Sequence, residues 1–169
     1  MDENILVNRS GWLCFKNKYF KCSIGSAGLS KCKHEGDKTT PVGTFKLRNG
    51  LYRADRIPKP ISVIEFNKIN ENDGWCDDPK DILYNKRVSL PCAASHELLW
   101  RKDQLYDLIV VIGFNDKPII ANRGSAVFLH IAEPNYKATR GCVAVSYENL
   151  LELLADITVE THLTISLKD

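Results

Sequence analysis

Charge of one sign is what this chain most conspicuously lacks. Its 23 Lys and Arg stand against 21 Asp and Glu, for a formal net charge of +2. The basic residues are scattered and interleaved with acids, so no field exists to hold nucleic acid or an anionic membrane. Neither partner is expected. Long apolar runs are also missing: no window approaches the ~18 residues of a membrane-spanning helix. The first twenty residues open on Asp2 and Glu3, have no basic stretch, and reach their longest apolar run at Ile5–Val7. With no leader of the secretory kind, the expected location is the cytoplasm. Six cysteines are present, but no CxxC pair, which removes support for zinc ribbons and thioredoxin-like chemistry. Reduced, mostly buried thiols are the expectation. There is no GxGxxG, no P-loop, no repeat and no metal-ligand spacing, so no cofactor and no metal is expected.

What remains is ordinary globular composition, 44% hydrophobic and 26% charged, in 169 residues. That length predicts one domain over residues 1–169, large enough to bury a core unaided. Gly11–Phe15 and Tyr19–Ile24 flank the polar Lys16-Asn17-Lys18 and read as a hairpin. A glycine-rich polar loop runs to Gly43, and Thr44–Leu47 resumes as a strand. Residues 52–107 are broken by prolines, with Ser95 placed to cap a short helix reaching Trp100. Leu108–Ile112, Ala126–Ile131 and Cys142–Val145 are apolar runs of strand length. After Ser146, an N-cap with Glu148 in the first turn, Leu150, Leu151, Leu153, Leu154 and Ile157 follow helical spacing. His162–Leu167 alternates apolar and polar residues, as a half-buried strand does. The reading is a mainly β domain with one helix near the C-terminus.

The stretch VFLHIAEPNYKATRGCVAV, Val127 to Val145, carries the chemistry. His130 ends one apolar strand and Cys142 begins the next, with Glu133, Pro134 and Asn135 turning the chain between them. A thiol attacks as its thiolate, and a neighbouring imidazole takes the proton and returns it to a leaving group. Gly141 lets a carbonyl approach the backbone, and the N–H groups of Gly141 and Cys142 are candidate oxyanion donors. The competing reading makes both residues core packing. His34, His96 and His162 read as structural or exposed. The Ile131 carbonyl, or a residue of segment 113–125, is a candidate to orient His130. Asn115 and Arg123 are candidate cleft residues, as are Asp77 and Asp78.

Three segments resemble a known family. KHEGDKTTPVGTFKL, GSAVFLHIA and TRGCVAVS are similar, in order, to the TPxGxF, histidine and Gly-Cys signatures of the L,D-transpeptidase catalytic domain, the YkuD-like bacterial cell-wall enzymes. The resemblance spans about Gly11 to Leu154. It implies a YkuD-like β-sandwich of mixed sheets. It also implies Cys142 as the acyl-accepting nucleophile, His130 as general base and acid, Gly141 in the oxyanion loop and Thr139 at the motif's Ser/Thr position. Arg140 stands where the family commonly has a second histidine. A cation there lowers a thiol pKa and can hold a carboxylate in bidentate fashion. The implied partners are peptidoglycan stem peptides or muropeptides, cleaved between a diamino acid and D-alanine. The thioester then passes to water, an L,D-carboxypeptidase trimming tetrapeptide to tripeptide, or to an amine, which cross-links or exchanges D-amino acids. A cytoplasmic chain would meet only soluble fragments, which favours water. A non-catalytic muropeptide-binding module and a generic thiol hydrolase or redox sensor are the alternatives.

Overall fold

The computed structural model describes residues 3–168. The strands in chain order are β1 (Ile5–Val7), β2 (Trp12–Phe15), β3 (Lys18–Lys21), β4 (Leu29–Ser30), β5 (Thr40–Pro41), β6 (Gly43–Tyr52) and β7 (Phe66–Lys68). There follow β8 (Asp73–Cys76), β9 (Arg87–Ser89), β10 (His96–Leu98), β11 (Leu108–Ile112), β12 (Phe128–Ile131) and β13 (Val143–Val145). Helix α1 (Tyr147–Asp156) and β14 (His162–Ile165) close the chain. The fold is mainly β, with mixed sheets and a single helix near the C-terminus, as expected.

The main sheet runs β13-β12-β11-β6-β14-β1-β2-β3, with β7 added to β6. A bridge between Ser23, just beyond β3, and Ala144 in β13 brings the two ends of that order together. The sheet therefore curls around its core. Strand β11, LIVVI, is buried at every position, because both of its faces are covered. Leu108, Val110 and Ile112 join the larger apolar cluster, while Ile109 and Val111 join a second cluster with Trp75, Tyr106, Phe128 and Cys142. A continuous apolar run is the sequence signature of such a two-sided strand.

Helix α1 forms where the leucine spacing puts it. The Ser146 side chain accepts from the Asn149 N–H at 3.2 Å, and Leu150, Leu153 and Leu154 are buried. The β2–β3 hairpin turns at Lys16 and Asn17, whose φ values of 47° and 63° suit a primed two-residue turn. Lys18 thus starts a strand rather than ending the turn. Ile5–Val7, the longest apolar run near the N-terminus, is a strand beside β14.

One element differs outright from expectation. His96–Leu98 is a strand, antiparallel to β8 through His96–Cys76, Glu97–Trp75 and Leu98–Gly74, and not a helix capped by Ser95. The cross-strand ladder with β8 supplies its backbone partners. So short a segment has too few turns to nucleate a helix. Strands β10, β8 and β9 form a small separate sheet. Trp75 fastens it to the main sheet, with its ring edge-on to Phe128 at 5.0 Å and its Nε1 donating to Asn85 at 3.0 Å.

Candidate active site

Strands β12 and β13 are parallel neighbours, pairing Leu129–Val143, His130–Ala144 and Ile131–Val145. Side chains alternate across a strand. Leu129, Ile131, Val143 and Val145 therefore face the large core with α1, and Phe128, His130 and Ala144 face the other way. Cys142, immediately before β13, falls on that second face beside Phe128. Both Cys142 and His130 line one cleft of about 420 Å³, within the usual range for small-ligand sites.

The two groups rest apart in their bonding. The Cys142 thiol donates to the Ala126 carbonyl at 3.2 Å and accepts from the Phe128 N–H at 3.4 Å. The His130 Nδ1 bonds the Ile131 carbonyl at 2.8 Å. A carbonyl only accepts, so Nδ1 carries the proton and Nε2 is left as the base. That carbonyl is one of the two orienting groups the sequence offered. No thiol–imidazole hydrogen bond is formed.

Burial sets both protonation states. Desolvation pushes the Cys142 thiol up to about 12; the Glu97 charge adds to this, while the Phe128 N–H, the Lys33 ammonium and the Tyr106 hydroxyl pull it back. Desolvation drops His130 to about 4, against the raising effect of the Ile131 carbonyl. The resting pair is neutral thiol and neutral imidazole.

Tyr106 and Glu97 complete this wall, and sequence reasoning missed both. The Tyr106 ring stands edge-on to His130 at 5.2 Å, and its hydroxyl donates to Glu97 Oε1 at 2.6 Å. Burial raises the Glu97 carboxyl above its ordinary range. Neither residue stands in a motif that would have marked it; the β8–β10 pairing brings Glu97 there.

Thr139 ties the loop that leads into Cys142. Its hydroxyl donates to the Cys142 carbonyl at 2.6 Å and accepts from the Gly141 N–H at 3.1 Å. The Gly141 N–H is thereby taken by its own loop. Gly141 has φ +136°, and a Cβ there would meet the Thr39 carbonyl oxygen at 2.8 Å and Lys33 Nζ at 3.2 Å. Glycine is required here because the chain's own backbone presses against it.

Arg140 lines the cleft, is exposed, and makes no hydrogen bond or ion pair among the described residues. The cation acting on the Cys142 thiol is Lys33, not Arg140, whose charge is felt at Glu97. Asp77 also lines the cleft, with Oδ1 buried and unpartnered. Asp78 lies outside it and accepts from the Lys80 N–H. Asn115 and Arg123 also lie outside it. The Asn115 amide staples its own loop, donating to the Ile120 and Gly124 carbonyls at 2.9 Å each. Arg123 is exposed on that loop.

All six cysteines are free. Among the described residues no group of three His, Cys, Asp or Glu is placed to hold a metal ion, and no helix is long and apolar enough to cross a membrane. Comparison with known families finds that the profile of the L,D-transpeptidase catalytic domain (YkuD) matches residues 4–165. No curated protein and no solved structure gave a match.

Proposed function

The chain belongs to the L,D-transpeptidase catalytic domain family, whose enzymes act on peptidoglycan, and on that premise we propose that Cys142 and His130 cleave the bond between a diamino acid and D-alanine in a stem peptide. The observation that carries this is the shared face: the imidazole on β12 and the thiol just before its parallel neighbour β13 line one cleft. As Cys142 Sγ bonds to the peptide carbonyl carbon, its proton passes to His130 Nε2. The tetrahedral intermediate collapses, the C–N bond breaks, and the imidazolium returns that proton to the departing D-alanine amine. The neutral resting pair suits this order, because charge separates only as the S–C bond forms.

The acceptor we propose is water, deprotonated by His130 as it attacks the thioester, which releases a tripeptide and the free thiol. The cleft that holds both groups, about 420 Å³, has room for one peptide end with water as its acceptor. Arg140, uncommitted at the cleft wall, is assigned to a substrate carboxylate. Incubation with a soluble murein tetrapeptide, followed by mass spectrometry, tests this. Tripeptide should accumulate, and Cys142→Ala should abolish it. Exchange of D-alanine without tripeptide would replace water by an amine acceptor. Full activity in Cys142→Ala would overturn the assignment of the nucleophile.

A further inference from the structure

Lys33 is a buried cation beside the Cys142 loop. Its side chain is only 5% exposed, and its Nζ donates to Asp37 Oδ1 at 2.7 Å and to the Thr39 carbonyl at 2.8 Å. An ammonium is costly to bury unless it is paired. Asp37 is held for that pairing: it also accepts from the His34 N–H, the Thr39 N–H and the Thr39 hydroxyl. Two glycines make the slot. A Cβ at Gly124 would meet the Lys33 stem at 3.0 Å, and one at Gly141 would meet its Nζ at 3.2 Å. Both take positive φ, +109° and +136°. The Asn115 amide holds the Gly124 carbonyl in place. Three loops thus converge to deliver one cation to the residue before Cys142, on the wall of the cleft.

An ammonium has three N–H donors. Asp37 and Thr39 take two, and the third is uncommitted among the described residues. Of the two backbone donors expected here, the Gly141 and Cys142 N–H groups, the first is spent on Thr139. We propose that Lys33 is a catalytic residue, its third N–H binding the carbonyl oxygen under attack and its charge stabilising the oxyanion. This rests on Cys142 being the acyl-accepting thiol. As the S–C bond forms, the carbonyl π pair moves to oxygen and is met by a preorganised cation. When the intermediate collapses the pair returns, and no proton leaves Lys33.

Lys33→Met is close in length and uncharged. With tetrapeptide as substrate, its kcat should fall about 100-fold or more, as when an oxyanion donor is removed. Its KM should change little, and alkylation of Cys142 by iodoacetamide should shift to higher pH. Asp37→Asn separates this role from simple pinning of the loop. It removes the carboxylate and keeps the ammonium, so it should lose clearly less kcat and leave the alkylation profile near wild type. If Lys33→Met keeps kcat within about threefold, or if both variants fall together with no change in the alkylation profile, the proposal is overturned. Should Lys33→Met fail to fold, Lys33→Gln, neutral but still able to donate to the Thr39 carbonyl, is read by the same two measurements. Full turnover in Cys142→Ala would instead sink the nucleophile assignment.

Discussion

Strands β12 and β13 have two faces that share a backbone and almost nothing else. On one, Leu129, Ile131, Val143 and Val145 pack against the core that α1 closes. On the other, His130 and Cys142 stand in a cleft walled by Tyr106, Glu97, Lys33 and Arg140. One residue step separates a position that contributes only packing from one that holds a titratable group. The rigidity of the first face fixes the second: an imidazole on β12 and a thiol at the foot of its parallel neighbour β13 cannot drift apart while the core beneath them is packed.

The largest way to break this comparison is at the cleft face. Cys142→Ala should lower turnover by about 10⁶-fold, the scale of nucleophile deletion in other acyl-transfer enzymes, while its urea midpoint stays close to wild type. Next comes the core face: Leu129→Ala should cost about 2–5 kcal/mol of stability, read by urea denaturation, with the rate of the folded fraction near wild type. If Leu129→Ala instead lowers the rate per folded molecule as severely as Cys142→Ala, the two faces are not separable.

The cleft face also bears on stability, through His130. An unfolded histidine titrates near 6.5 and the folded one near 4. Below pH 6.5 the unfolded chain binds a proton that the folded chain refuses. Stability from this residue is therefore full above 6.5 and is lost as pH falls towards 4, by roughly 3 kcal/mol in total. Melting temperatures between pH 7 and 4 should show this slope, and His130→Gln should flatten it. The smallest effect sharpens the comparison from behind. Ser146→Ala removes the cap of the helix that covers the core face and should cost about 1 kcal/mol, with no change in the pH dependence of alkylation at Cys142.

Legibility in the sequence follows the reach of each signal. LIVVI, the leucine pattern of α1 and its serine cap are local, and each stands where expected. The His130 and Cys142 segments could be marked because their motifs are short and ordered. His96–Leu98 could not be read, because its strand state comes from pairing with β8, its partners lying 20 to 24 residues earlier from Cys76 to Gly74. Glu97 was missed for the same reason, and Tyr106 because it stands in no motif that marks it. Asn115 and Arg123 were drawn to the cleft by nearness in sequence to His130, but the Asn115 amide is consumed in its own loop. Lys33 had one faint local mark, an acid four residues on at Asp37, in a loop whose polar composition reads as solvent-exposed.

By itself, the sequence determined a mainly β chain with one capped helix, and a thiol and an imidazole at the ends of two apolar strands. Those follow from periodicity and local hydrogen bonding, which act over a few residues. Only the tertiary structure decided that both groups share a face, that burial keeps them neutral, that Thr139 takes the Gly141 N–H, and that Lys33 rather than Arg140 is the cation buried against the loop before Cys142. Each of these depends on desolvation and on contacts between segments far apart in the chain, and no local pattern encodes either.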